Sequence, residues 1–105
     1  MTSLPDCLTD PGRSHVNFVI HALDRADSGD LRVRSRPDHL DYVAGFDIVF
    51  GGPMFADDGS MCGSLIVLEV EDRAAADLFA AGDPYAKAGL FDQVTITAMK
   101  PVLGL

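Results

Sequence analysis

The side chains able to do chemistry in this chain gather in two short blocks. In the first, Arg32, Arg36 and His39 follow one another at spacings of four and three residues, which on a helix makes a single basic edge. A histidine on such an edge titrates near neutral pH and can serve as a general acid or base. Two arginines beside it can hold the carboxylate or phosphate of a small molecule. In the second block Asp83 precedes Pro84 and Tyr85. A carboxylate can orient an imidazole and fix its tautomer, and a tyrosine can donate a hydrogen bond into a pocket.

Each of these residues also has a purely structural account. His39 could be a boundary histidine bonded to a backbone carbonyl, with the arginine heads in solvent. Asp83 before Pro84 is a helix cap, although a capping carboxylate still has an oxygen left for an imidazole. Tyr85 could equally be a lid over the core. Ser64 follows Gly63 at the start of an apolar stretch, but no Gly-x-Ser-x-Gly elbow surrounds it, so it is expected to contact substrate rather than act as a nucleophile. A metal held by His21 and His39 would need further ligands that no spacing supplies, so no metal site is expected, and His15 adds none. Gly51, Gly52 and Gly59 lie in turn-like stretches with no phosphate-cradling pattern before a helix. Cys7 and Cys62 stand far apart with no C-x-x-C, which points to two free thiols, Cys62 partly buried.

These side chains need elements to position them. Residues 1–14 hold turn formers and no periodicity, and read as a loose extension before a single domain over residues 15–105. Val16 to Leu23 alternates apolar residues as a strand does. Asp30 to Ala44 has a helical stripe of Val33, Pro37, Leu40 and Ala44, with Arg36 and Val43 flanking it and Gly45 as the stop. Pro37 there implies a kink, or a regular helix starting only at Pro37. Phe46 to Phe50 reads as a short strand broken by Gly51-Gly52-Pro53, and Gly63 to Val70 as the next strand. A turn at Asp57-Asp58-Gly59 joins the two as a hairpin. Asp72 caps an alanine-rich helix ending near Gly82, Asp83 starts a short second one, and Gln93 to Lys100 is the last strand.

Strand, helix, strand, strand, helix, strand is the split βαβ order of an α+β, ferredoxin-like fold: a four-stranded antiparallel sheet with its helices on one face. Apolar residues occupy both faces of the first and third strands, among them Val19, Leu23, Leu65 and Val67. Helices in so short a chain cover only one face, so a second copy is expected over the other, making a homodimer. With 105 residues, 48% apolar and a net charge of −8, the chain is a globular domain with an acidic surface. That excludes phosphate-backbone nucleic-acid binding and an anionic membrane surface. No run is apolar enough to span a bilayer and the leader lacks a signal-peptide pattern, so a cytoplasmic location is expected.

The blocks together, Arg36-Pro37-Asp38-His39-Leu40-Asp41-Tyr42, Gly51-Gly52-Pro53, Gly63-Ser64 and Asp83-Pro84-Tyr85-Ala86-Lys87-Ala88-Gly89-Leu90, resemble the YCII-related family. The ending Lys100-Pro101-Val102-Leu103 is similar to that family's as well, and the match runs in order from about Phe18 to the C-terminus. The resemblance implies a ferredoxin-like unit pairing into a dimeric α/β barrel, and an active site formed by a His and an Asp, here His39 and Asp83. The wider superfamily includes muconolactone isomerases, cofactor-free monooxygenases and dehalogenating enzymes, and fold analogy does not choose among them. Two functions stay open. In one, His39 is an acid–base catalyst oriented by Asp83, with Arg32, Arg36, Ser64 and Tyr85 contacting a small anionic or aromatic metabolite in isomerase, lyase or dehalogenase chemistry that needs no cofactor. In the other, the same cleft binds a small molecule without turning it over.

Overall fold

The computed structural model describes residues 15–104, so the expected leader, Cys7 included, lies outside the described residues. The elements run β1 (Val16–Asp24), α1 (Leu31–Val43), β2 (Ile48–Phe55), β3 (Met61–Val70), α2 (Arg73–Gly82), α3 (Pro84–Lys87) and β4 (Phe91–Met99). Every strand pair is antiparallel and the sheet order is β2-β3-β1-β4, the ferredoxin-like arrangement, with the short α3 inserted before β4.

Register decides which residues meet the helices. Ile20 lies opposite Ile66 and Ile96, and Phe18 opposite Leu68 and Ala98, so these side chains share one face. Phe18, Ile20, Ile66 and Leu68 form the core with Ala76 and Phe79 of α2, and Tyr42 and Val43 of α1 pack against it. The opposite face carries Val19 and Leu65, both half-buried, and Val67, which is buried already. Local chemistry sets the joints. Asp72 accepts the Ala75 N–H at 2.9 Å and starts α2. Gly59, at φ +89°, closes the β2–β3 turn, where Asp58 accepts the Ser60 N–H at 2.9 Å. Among the described residues no helix is long and apolar enough to cross a membrane.

Four expectations from the sequence need correction. β2 does not stop at Phe50 but runs through Gly51-Gly52-Pro53 to Phe55. It is the edge strand, where a proline's missing N–H costs no ladder bond, and a Cβ on Gly51 would sit 3.0 Å from the Leu65 carbonyl oxygen. Gly51 thus allows close backbone approach within a strand instead of ending it.

α1 is continuous from Leu31 and passes through Pro37, so the regular helix does not begin at Pro37. Pro37 and Val33 are exposed, so the Val33 carbonyl that loses its helical partner faces water. The stop is Ala44 in helical conformation; Gly45 follows as a tight turn, its N–H reaching the Tyr42 carbonyl at 3.2 Å. The fourth correction matters most for function. The stripe of Val33, Pro37, Leu40 and Ala44 points outward, with Val33 62% and Leu40 44% exposed. The residues that α1 buries are Arg32 and His39, two turns apart on the other face.

Candidate active site

α1 packs chiefly against α3, while α2 lies on β1, β3 and β4. The space left between α1, α3 and the β2–β3 half of the sheet is a cavity of about 250 Å³. One wall is polar, made by Arg32, Arg36 and His39 of α1 with Tyr85 of α3. The other is the glycine backbone of Gly51 and Gly52 with Pro53 and Met61, and Ser64 and Ile66 form the floor. The volume suits a small metabolite.

His39 is 9% exposed and Asp83 4%. The imidazole Nδ1 lies 2.8 Å from Asp83 Oδ1. A carboxylate oxygen only accepts, so Nδ1 carries the hydrogen, and in the neutral imidazole the lone pair is then on Nε2. The same Oδ1 accepts the Tyr85 N–H at 2.9 Å, the cap that starts α3. The two accounts of Asp83 open at the sequence level therefore hold together: it caps a helix and it binds the imidazole. The Tyr85 ring stacks on the imidazole with centroids 4.0 Å apart and planes 15° from parallel. Main chain fixes the carboxylate from one side and an aromatic face holds the imidazole from another, so the pair is rigid before any ligand arrives.

Arg32 is in the cavity wall but engaged. Its Nε and Nη2 donate to the two oxygens of Asp24 at 2.8 and 2.7 Å, a buried bidentate pair. Burial alone would lower the guanidinium's pKa, but the hydrogen bonds and charge of Asp24 outweigh it and hold it above the ordinary value. Its carbon also lies 4.8 Å from the Tyr85 ring centroid. Arg36 is exposed at the rim and has no salt bridge among the described residues. Burial pushes the Tyr85 hydroxyl's pKa up, with Arg32 and Arg36 pulling against it without cancelling it.

The structure thus brings His39, Asp83, Tyr85, Ser64, Arg32 and Arg36 to one cavity. It places His21 elsewhere: paired with Leu65 and Thr95, it points to the sheet face away from the helices. Cys62 is a free, partly buried thiol. Sequence reading gave Asp24 no place in the site. Its signal was a carboxylate at the exit of β1, next to the helix whose first buried residue is Arg32. It also missed the contribution of Gly51, Gly52 and Pro53, because β2 was expected to end at Phe50, and that of Met61, because β3 was expected to start only at Gly63.

A family model for the YCII-related domain matches residues 16–100. Protein YciI of Escherichia coli is 34% identical over 95 residues, spanning 81% of this chain and 97% of its own. Protein YciI of Shigella flexneri matches to the same extent, at 34% identity over 95 residues. Among solved structures, 5-chloro-2-hydroxyhydroquinone dehydrochlorinase (TftG) from Burkholderia phenoliruptrix, in complex with 2,5-dihydroxybenzoquinone, superposes with a TM-score of 0.74 at 32% identity. That match covers 80% of this chain and 93% of the dehydrochlorinase.

Proposed function

The chain belongs to the YCII-related family, and on that premise we propose that it is an acid–base enzyme in which His39, oriented by Asp83, moves a proton on a small anionic or aromatic metabolite. The observation that carries this reading is the buried 2.8 Å contact between His39 Nδ1 and Asp83 at the wall of a concave cavity. With Nδ1 bonded to the carboxylate, Nε2 is the base. It takes a proton from the substrate, and the imidazolium that forms is stabilised by the adjacent negative charge. Electrons released from the broken bond move into the substrate, either expelling a leaving group such as chloride or shifting a double bond. Returning the proton from Nε2 to another substrate atom completes an isomerisation, and loss to water completes an elimination. Neither route calls for a cofactor.

A similar protein that dehydrochlorinates a hydroxyhydroquinone, solved with a dihydroxybenzoquinone, supports this class of chemistry and this size of ligand. Arg36 at the rim and Ser64 on the floor serve as substrate contacts. Arg32, neutralised by Asp24, supports the wall instead of pairing with substrate. We further propose that the chain works in the cytoplasm as a homodimer, a second copy covering the sheet face around the half-buried Val19 and Leu65.

The test is to assay chloride release from chlorinated hydroxyhydroquinones, and deuterium uptake from solvent by small hydroxyquinones and keto acids. Wild type should turn over at least one of them, and His39→Ala should slow it about 10²–10⁴-fold. Equal rates in wild type and His39→Ala would sink the acid–base reading. Saturable binding with no turnover of any compound would make the cavity a small-molecule-binding module instead.

A further inference from the structure

Two groups on the polar wall are not used by the His39–Asp83 pair: the hydroxyl of Tyr85 and the guanidinium of Arg36. Tyr85 is buried yet lines the cavity, and its ring is held by the imidazole stack and by the Arg32 guanidinium. Arg32 in turn is fixed by two hydrogen bonds to Asp24, which also balance its charge. What the polar wall still offers is the Tyr85 O–H donor and, at Arg36, a cation with no salt bridge among the described residues, in a protein whose net charge is −8. Apolar groups from Ile48, Pro53, Met61 and Ile66 lie across from them.

We infer that Tyr85 and Arg36 form an oxyanion site, in which the Tyr85 hydroxyl donates to, and Arg36 pairs with, an anionic oxygen on a flat, apolar ligand of the phenolate or enolate type. The inference rests on reading the cavity as the acid–base site and adds the chemical class of what it binds. Asp24 and Arg32 are positioning residues: they hold Tyr85 without touching the ligand. Tyr85 suits the role because burial favours its protonated form, so it acts as donor and not as base. Donors set in advance at the point where negative charge resides need no reorganisation when the ligand ionises. The apolar wall excludes water from the ring and strengthens both contacts.

The probe is 4-nitrophenol, whose ionised form absorbs visible light, titrated against the full chain across pH with no turnover involved. In wild type the bound probe should ionise at lower pH than the free probe. Tyr85→Phe keeps the ring and its stack on His39, and should weaken phenolate binding about tenfold while leaving the neutral phenol unaffected. Arg36→Gln, at an exposed position that does not threaten folding, should weaken it similarly. Phenolate binding by Tyr85→Phe as tight as in wild type overturns the inference. So does wild type that binds the neutral form better, or neither form. Because the readout is binding, it stands apart from the His39→Ala rate test: either reading can fail while the other survives.

Discussion

Asp83 does two things with one oxygen atom. Its Oδ1 accepts the Tyr85 N–H that starts α3 and the Nδ1–H of His39. These two roles separate by substitution. Asp83→Asn keeps a capping oxygen but removes the charge that stabilises the imidazolium. It should unfold within about 1 kcal/mol of wild type in urea while losing most turnover, by analogy with the effect of removing a triad carboxylate. Asp83→Ala loses the cap as well and leaves a buried imidazole unpartnered, for a loss of about 2–4 kcal/mol. If Asp83→Asn matched wild type in turnover, the carboxylate would be a cap and nothing more.

Tyr85 is testable by pH at the same scale. Its folded pKa is raised above the ordinary value of about 10, chiefly by burial. The unfolded chain therefore loses this proton first as pH rises. The stability that depends on neutral Tyr85 is complete below about pH 10 and is lost as pH climbs through the folded value. Urea midpoints should fall in that alkaline window, and less steeply in Tyr85→Phe. Tyr42, raised by burial and further by Asp83, contributes in the same direction. An equal alkaline slope in the Phe variant would place the effect elsewhere.

At the scale of elements, the seam between α1 and α2 depends on one glycine. The Tyr42 hydroxyl donates to the Phe79 carbonyl at 3.0 Å, and a Cβ on Gly82 would collide with that hydroxyl. Gly82→Ala should push Tyr42 away, break this bond and loosen the Tyr42–Phe79 stack, destabilising the fold by about 1–3 kcal/mol. Tyr42→Phe/Gly82→Ala should recover part of the loss, since the colliding oxygen is gone, and urea unfolding of both variants checks this. α1 behaves unlike a typical surface helix because its two most buried residues, Arg32 and His39, are polar. Arg32 and His39 go inward because Asp24 and Asp83 meet them there, and the apolar stripe is left outside. Breaking either partnership leaves a buried polar group unmatched, so the helix is held in its rotation by two specific contacts more than by greasy area.

For the whole molecule, assembly turns on the sheet face away from the helices. Val19 and Leu65 lie there half-buried on the paired strands β1 and β3, the arrangement a second sheet would cover. Sedimentation should give a dimer for the full chain. Leu65→Asp, which puts a charge at the centre of that face, should shift it to monomer while the His39 cavity on the opposite face stays intact. A monomeric wild type would remove the homodimer from the account.

The sequence by itself determined the element order, and with it the ferredoxin-like sheet. Alternation in Val16 to Leu23 and Gly63 to Val70, the caps at Asp72 and Asp83, and the Asp57-Asp58-Gly59 turn are local signals whose physics acts over a few residues. It also singled out His39 and Asp83, which are 44 residues apart, though only their resemblance to a family's motif joined them. What lay beyond it was set by contacts distant in the chain. The rotation of α1 could not be read from its own hydrophobic pattern, because that pattern assumes charged residues face water. Asp24 and Asp83 reverse the preference by offering buried partners that no local window contains. The path of β2 through its glycines and proline likewise depended on its place at the sheet edge, which only the packed sheet decides.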